Sequence, residues 1–201
     1  MSYQPPISVT TVQTTAPAVE PLTLSEARFH CRVDNDAEDA FLSILIATAR
    51  EYVETETERA YCQRSFVSRF SRFPVSGTGI VVPMCPLVSV TSLKYFDASN
   101  VEQTLSTGLY TVRTDTTPGS IEEAVGEAWP DTAYRGDAVT LTYVAGYGTA
   151  ASCPERAKQA IKLLVGHWYE NREAAAVGVD VKEVPLAAKA LMWQLRTGVM
   201  R

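Results

Sequence analysis

A chain of 201 residues is long enough for one domain, or for one domain that carries an insertion. Hydrophobic residues make up 46% and charged residues 20%, an ordinary globular balance in which a core is attainable. The formal net charge of -5 and the lack of a dense Lys/Arg block exclude the basic footprint of a tight nucleic-acid binder, while a mild negative balance suits a surface that DNA passes without sticking.

Residues 1–22 carry Pro5, Pro6, Pro17 and Pro21 among Thr, Val and Ala, with Glu20 the one charged side chain. Prolines and β-branched residues disfavour a helix, so an extended arm is expected, ordered against a neighbour. Thr23 and Glu26 have the spacing of a capping box and open a short helix over Leu24–Val33. Asp34-Asn35-Asp36 reads as a turn, and a second helix follows from about Asp36 to Ala60, with Asp36 as cap and Asp39 repeating the capping spacing. Phe41, Leu45, Thr48 and Tyr52 form one stripe of this helix, and Leu42, Ile46, Ala49 and Val53 an adjacent apolar one.

From about Gln63 to Tyr147 the period changes to two. Val139, Leu141 and Tyr143 alternate with Thr140 and Thr142 as in a half-buried strand. Val88 and Val90 share one parity and Leu93 and Tyr95 the other, which predicts a bulge near Thr91. Asp97-Ala98-Ser99-Asn100 reads as a hairpin turn and Leu109–Arg113 as a further strand. Five to seven antiparallel strands, arranged as a small barrel or sandwich, are expected.

Helix signals return at Ser152-Cys153-Pro154-Glu155, with Ser152 as N-cap and Ala157, Ile161, Leu164, Val165 and Trp168 as the buried stripe of a helix reaching Glu173. A loop over 174–184 precedes a last helix from about Pro185. There Leu186, Ala190 and Trp193 share one face, and Ala187, Leu191 and Leu195 the next. The fold class expected is α+β: about four helices with an inserted antiparallel β subdomain. The divisions are 1–22 (arm), 23–62 (helices), 63–148 (β insertion), 149–173 (helix) and 174–201 (loop and docking helix).

No catalytic pattern emerges. His30 and Cys31 are neighbours on a helix and point about 100° apart, so they do not face each other. Asp34, Asp36 and Glu38 alternate like the start of a calcium loop, but the sixth position is Asp39 rather than Gly and the twelfth is Leu45 rather than Glu. Gly146 and Gly148 flank Tyr147 after a strand without the Lys of a phosphate loop. Cys31, Cys62, Cys85 and Cys153 form no CxxC and no metal-ligand spacing, so free thiols are expected. The N-terminus lacks the basic and apolar regions of a secretion signal, and no apolar run approaches the ~20 residues that span a membrane. A soluble, cytoplasmically made protein without catalytic, cofactor-binding or metal residues is therefore expected.

Three blocks carry a resemblance: Leu22-Thr23-Leu24-Ser25-Glu26-Ala27 with Arg32-Val33-Asp34 and Ala49-Arg50-Glu51-Tyr52-Val53-Glu54; Tyr143-Val144-Ala145-Gly146-Tyr147-Gly148 with Pro154; and Ile161–Glu173, which includes His167-Trp168-Tyr169-Glu170-Asn171-Arg172. In order and spacing they resemble the head–tail connector (adaptor) family of long-tailed double-stranded DNA bacteriophages and gene-transfer particles, in its longer branch with a β-rich insertion. The resemblance implies a non-enzymatic virion protein of the neck, assembled in the host cytoplasm into a ring that is typically twelvefold. Its expected partners are copies of itself, the portal protein, a downstream stopper, tail terminator or tail component, and passing double-stranded DNA, with no membrane and no cofactor. By position, Leu186, Leu191, Trp193, Leu195, Met200 and Arg201 are expected at the portal. Tyr169, Arg172, Val177 and Val179 are expected between subunits, and Glu54, Glu56 and Glu58 along the DNA channel. The competing reading is a single-stranded nucleic-acid binding module with Tyr95, Phe96 and Tyr110 as stacking platforms.

Overall fold

The computed structural model describes residues 9–172 and 184–196. The chain divides into two compact units, one from Met1–Ala16 and Gln63–Gly146, the other from Pro17–Cys62 and Tyr147–Arg201, so it crosses between them three times.

The helical unit contains α1 (Leu24–Cys31), α2 (Asp39–Thr57), α3 (Glu155–Glu170) and α4 (Leu186–Leu195). α1 begins where the sequence predicts. The Glu26 N–H donates to the Thr23 hydroxyl oxygen, and the Thr23 N–H donates to the Glu26 carboxylate at 2.9 Å. It ends earlier than its apolar pattern because Arg32 takes a left-handed φ of 57° and the Val33 N–H turns back to the Arg28 carbonyl. α2 starts at Asp39, not Asp36. Asn35 accepts the Ala37 N–H in a local turn, and the Asp39 carboxylate, expected to cap, is taken by the Arg28 guanidinium. Ser152 likewise does not cap α3: it closes a 3-10 turn with Thr149, and Pro154 stands at the N-cap.

The core of this unit follows the predicted stripes. Leu42, Leu45, Ile46, Ala49 and Val53 of α2 pack with Ala157, Ala160, Ile161, Leu164 and Val165 of α3 and with Ala188, Met192 and Leu195 of α4. Each large aliphatic side chain buried there contributes about 1.5–3 kcal/mol relative to exposure. Trp168 meets Tyr52 edge-on with ring centroids 6.1 Å apart. Thr48 lies outside the core, exposed to solvent.

The β unit contains β1 (Val9–Gln13), β2 (Arg64–Phe70), β3 (Ile80–Val81), β4 (Leu87–Phe96), β5 (Glu102–Thr104), β6 (Tyr110–Arg113), β7 (Ser120–Glu123) and β8 (Val139–Ala145). They form a five-stranded sheet in the order β1-β2-β8-β4-β5 and a three-stranded sheet in the order β3-β7-β6, with antiparallel pairing throughout. The α+β expectation holds, and of the barrel or sandwich expected from the sequence no closed barrel is seen among the described residues. β1 and β5 lie at opposite edges of their sheet and do not pair. The first segment also differs from an arm without partners in its own chain, because Val9–Gln13 pairs residue for residue with Phe70–Phe66.

Alternation sets the inner face. Val139, Leu141, Tyr143 and Ala145 of β8 are buried together with Phe66, Ser68 and Phe70 of β2, while Thr140, Thr142 and Val144 face the other way. The parity switch in β4 is real: its pairing with β8 shifts between Leu87 and Ser89 and again between Val90 and Ser92, which brackets Thr91. The β4–β5 turn is held by Asp97, whose carboxylate accepts from the N–H groups of Ser99 and Val101, with Asn100 left-handed at φ 59°.

Two outcomes follow for stability. At Gly119 an added Cβ would stand 2.6 Å from the Leu87 Cβ and 3.0 Å from the Arg113 carbonyl oxygen, whereas at Gly136 it would meet nothing within 4 Å. Gly119→Ala should therefore lose about 1–3 kcal/mol in urea unfolding while Gly136→Ala stays near neutral. Glu26 is held below the ordinary carboxylate range, first by the Thr23 backbone N–H, against the opposing effect of burial, with help from the Thr23 hydroxyl and Lys162. A depressed folded-state pKa means stability present above the unfolded value near ~4.3 and lost as pH falls through the folded value. The melting-temperature gap between the parent and Glu26→Gln should be full at pH 7 and close progressively below about pH 4.

Candidate assembly interface

Within the helical unit, one buried charge on α2 gathers partners from Glu20 to Tyr61. Arg50 is 3% exposed, and its guanidinium donates to Glu20 at 2.7 Å and to Glu54 at 2.8 Å. Burial works against its charge, but the Glu20 hydrogen bond and the Glu54 and Glu20 carboxylates outweigh it and hold the proton more tightly than usual. The second Glu54 oxygen accepts the Tyr61 N–H at 2.8 Å. The Tyr61 hydroxyl in turn donates to Thr57 at 2.9 Å, and its ring stacks on Tyr147 with centroids 6.3 Å apart.

The far end of α2 is tied to the end of α3. Glu38 accepts from the Tyr169 hydroxyl and from Arg172, the latter at 2.6 Å. The Arg172 guanidinium also lies over the rings of Phe41 and Tyr169, at 4.8 and 4.6 Å from their centroids. Tyr169 and Arg172, expected between subunits, are thus engaged inside this unit, with Arg172 still partly exposed at its rim.

α4 has two different sides. Ala188, Met192 and Leu195 are buried and Leu191 packs on the core. The last helix therefore buries one of its sides within its own chain. The opposite side carries Leu186 (82% exposed), Ala190 and Trp193 (72% exposed), the helical stripe read from the sequence. The helix is fixed from below: Arg59 donates to the Leu195 carbonyl, and Arg196 donates to the Glu56 backbone and carboxylate, each at 2.9 Å, while lying 5.5 Å from the Trp193 ring centroid. Of the residues expected at the portal, Leu186 and Trp193 face solvent, Leu191 and Leu195 do not, and Met200 and Arg201 lie outside the described residues, as do Val177 and Val179.

Among the acids expected along a channel, Glu54 is a core group rather than a surface charge, because Arg50 and Tyr61 occupy both its oxygens. Glu56 is partly exposed and paired with Arg196, and Glu58 is partly exposed at the left-handed end of α2. Sequence reasoning missed the exposed apolar side chains Phe29 on α1 and Ile44 on α2. The signal for Ile44 was its position off both apolar stripes of its helix.

The Cys31 thiol is pushed up by burial and by Glu170, away from a reactive thiolate. The four cysteines form no disulfide with one another, and burial lifts Cys153 to about 12. Among the described residues no group of three or more His, Cys, Asp or Glu side chains is placed to hold a metal, and no helix is long and apolar enough to cross a membrane. The aromatics proposed as stacking platforms are occupied. Tyr110 is buried, Phe96 is covered by the Arg135 guanidinium 3.7 Å from its centroid, and Tyr95 packs on Phe73 at 5.8 Å.

Residues 21–86 match the model of the phage gp6-like head-tail connector family. The resemblance read from the sequence therefore holds, and the matched stretch runs from the segment before α1 to the residue before β4. Solved structures extend the likeness to nearly the whole chain. A chain in the neck of an empty gene transfer agent (GTA) particle computed with C6 symmetry is 27% identical with a TM-score of 0.72, over 96% of this chain and 97% of that one. A chain in the virion of a native GTA particle gives 27% and 0.72 over 95% and 97%. A chain in the neck of a native GTA particle computed with C12 symmetry gives 26% and 0.68 over 96% and 97%. No curated protein matches.

The Arg50 network makes its own test. Arg50→Met should cost about 3–5 kcal/mol in urea unfolding, because it leaves the Glu54 carboxylate buried without its cation. Glu20→Gln, which alters a partner one-third exposed, should cost clearly less. Equal losses for the two variants would place the burden on the exposed pair instead.

Proposed function

We propose that this protein is a structural adaptor of a virion neck, forming a homo-oligomeric ring that joins a portal to the next neck or tail component and encloses part of the DNA channel, without catalysis. The observation that carries the reading is the match to chains in GTA necks, at 26–27% identity and over at least 95% of both partners. The family match over residues 21–86 points the same way. The twelvefold symmetry used for one of those necks supports a dodecamer. A ring built from identical copies needs two different complementary faces per copy, joined by heterologous contacts that close by rotation.

In this reading the Leu186–Ala190–Trp193 face of α4 meets the portal, since an exposed apolar stripe on a helix otherwise anchored in its own core is suited to a groove on another protein. Tyr169 and Arg172 contribute to the contact between copies through their exposed rim. Glu56 and Glu58 are the remaining channel acids, and the formal charge of -5 keeps passing DNA from being held.

Electron microscopy of the purified full chain mixed with its portal should show a collar with a central opening. Monomers that never associate with the portal would count against the role. Leu186→Asp with Trp193→Asp should weaken portal binding at least tenfold, a cost of about 1.4 kcal/mol or more, without moving the melting temperature. Unchanged portal binding would remove α4 from that interface.

A further inference from the structure

The five-stranded sheet ends in two edges of opposite character. At one edge β5 is three residues long, and the Lys94–Glu102 ion pair beside it spans 2.9 Å. Short length and charge are the usual guards against strand addition. At the other edge β1 is Val9-Thr10-Thr11-Val12-Gln13, with four β-branched residues, no charge and no proline. The sequence has no charged side chain before Glu20. Val9 and Val12 lie on opposite faces of the strand, 47% and 46% exposed, so β1 is open on both sides as well as along its rim.

The register says which groups are free. The Thr14 N–H donates to the Ser65 carbonyl at 3.1 Å, which places the inward-bonding positions at Val12 and Thr10. By antiparallel alternation the N–H and C=O groups of Val9, Thr11 and Gln13 point away from β2. Among the described residues no strand pairs with that side.

We infer that the outer edge of β1 is a subunit-joining surface, which accepts an extended segment from the next copy of this chain and continues the sheet across the boundary. The inference rests on the ring reading above. The occupant is a second copy because chains matching this one along nearly their whole length stand in necks computed with C6 and C12 symmetry, in which copies are related by rotation about an axis. An edge with free main-chain groups and β-branched side chains takes another strand through main-chain hydrogen bonds, without requiring charge complementarity.

Hydrogen exchange on the full chain, compared between monomers and assembled rings, tests this directly. The N–H groups of Val9, Thr11 and Gln13 should slow at least tenfold on assembly, while those of β5 stay unchanged. Thr11→Pro removes one outward donor and no main-chain bond to β2, and should reduce ring yield at least tenfold. Thr11→Val removes the same Thr11–Ser68 hydroxyl contact but keeps the N–H, and should assemble normally. Rings in which β1 exchanges as fast as in the monomer, or in which Thr11→Pro assembles like the parent, would overturn strand addition and leave the neck role standing. A chain that forms no rings, alone or with portal, would overturn both.

Discussion

Arg50 is the group the helical unit cannot do without. A guanidinium with 3% exposure has no water to satisfy it, so carboxylates must be brought to it. Glu54 comes from the next turn of the same helix, and Glu20 from the segment that leads into α1. Through Glu54 the demand reaches the Tyr61 backbone, and through the Tyr61 ring it reaches Tyr147. Those three residues mark the three chain crossings: Glu20 follows the first, Tyr61 precedes the second, and Tyr147 opens the third. Within the helical unit a chain of contacts therefore runs from this one buried cation to a residue near each crossing. In the β unit the same segments are neighbours again, because Thr14 bonds Ser65 and Ser65 pairs with Val144.

Local signals proved readable wherever a side chain spends its polar atoms on its own neighbourhood. The Thr23–Glu26 box, the Asp97 turn and the parity switch at Thr91 all appear in the structure as their spacing implies. Two of the errors share one cause, which is a polar group engaged by another side chain. Asp39 has capping spacing but is claimed by Arg28, and Glu54 looks like one of three solvated acids but is claimed by Arg50. Strand closure was equally beyond the pattern, because alternation gives each strand a face but not its neighbours. The partner of Val9–Gln13 lies more than fifty residues away in β2, so that short run could be read as extended but not as paired.

The candidate assembly surfaces are made of side chains and main chain left over when the two cores are complete. α4 is apolar around most of its girth, and the core takes Ala188, Met192 and Leu195 while leaving Leu186 and Trp193 outside. β1 gives one set of main-chain groups to β2 and keeps the other. Both pieces are held firmly by their own unit, α4 by Arg59 and Arg196 and β1 by β2, so a partner would meet surfaces already shaped.

The threefold crossing also has a consequence for synthesis on the ribosome. α1 and α2 emerge early, but α3, against which Leu42, Ile46 and Val53 are buried, is encoded only after residues 63–146. At about 5–20 residues per second, that stretch occupies on the order of 4–17 seconds, during which the part of α2 that α3 and α4 will cover stays open. The β unit can be completed in that interval, because its last strand ends at Ala145. The nascent chain thus finishes its β unit first, while its helical unit waits open, and that interval is when it most needs shelter from its neighbours on the polysome.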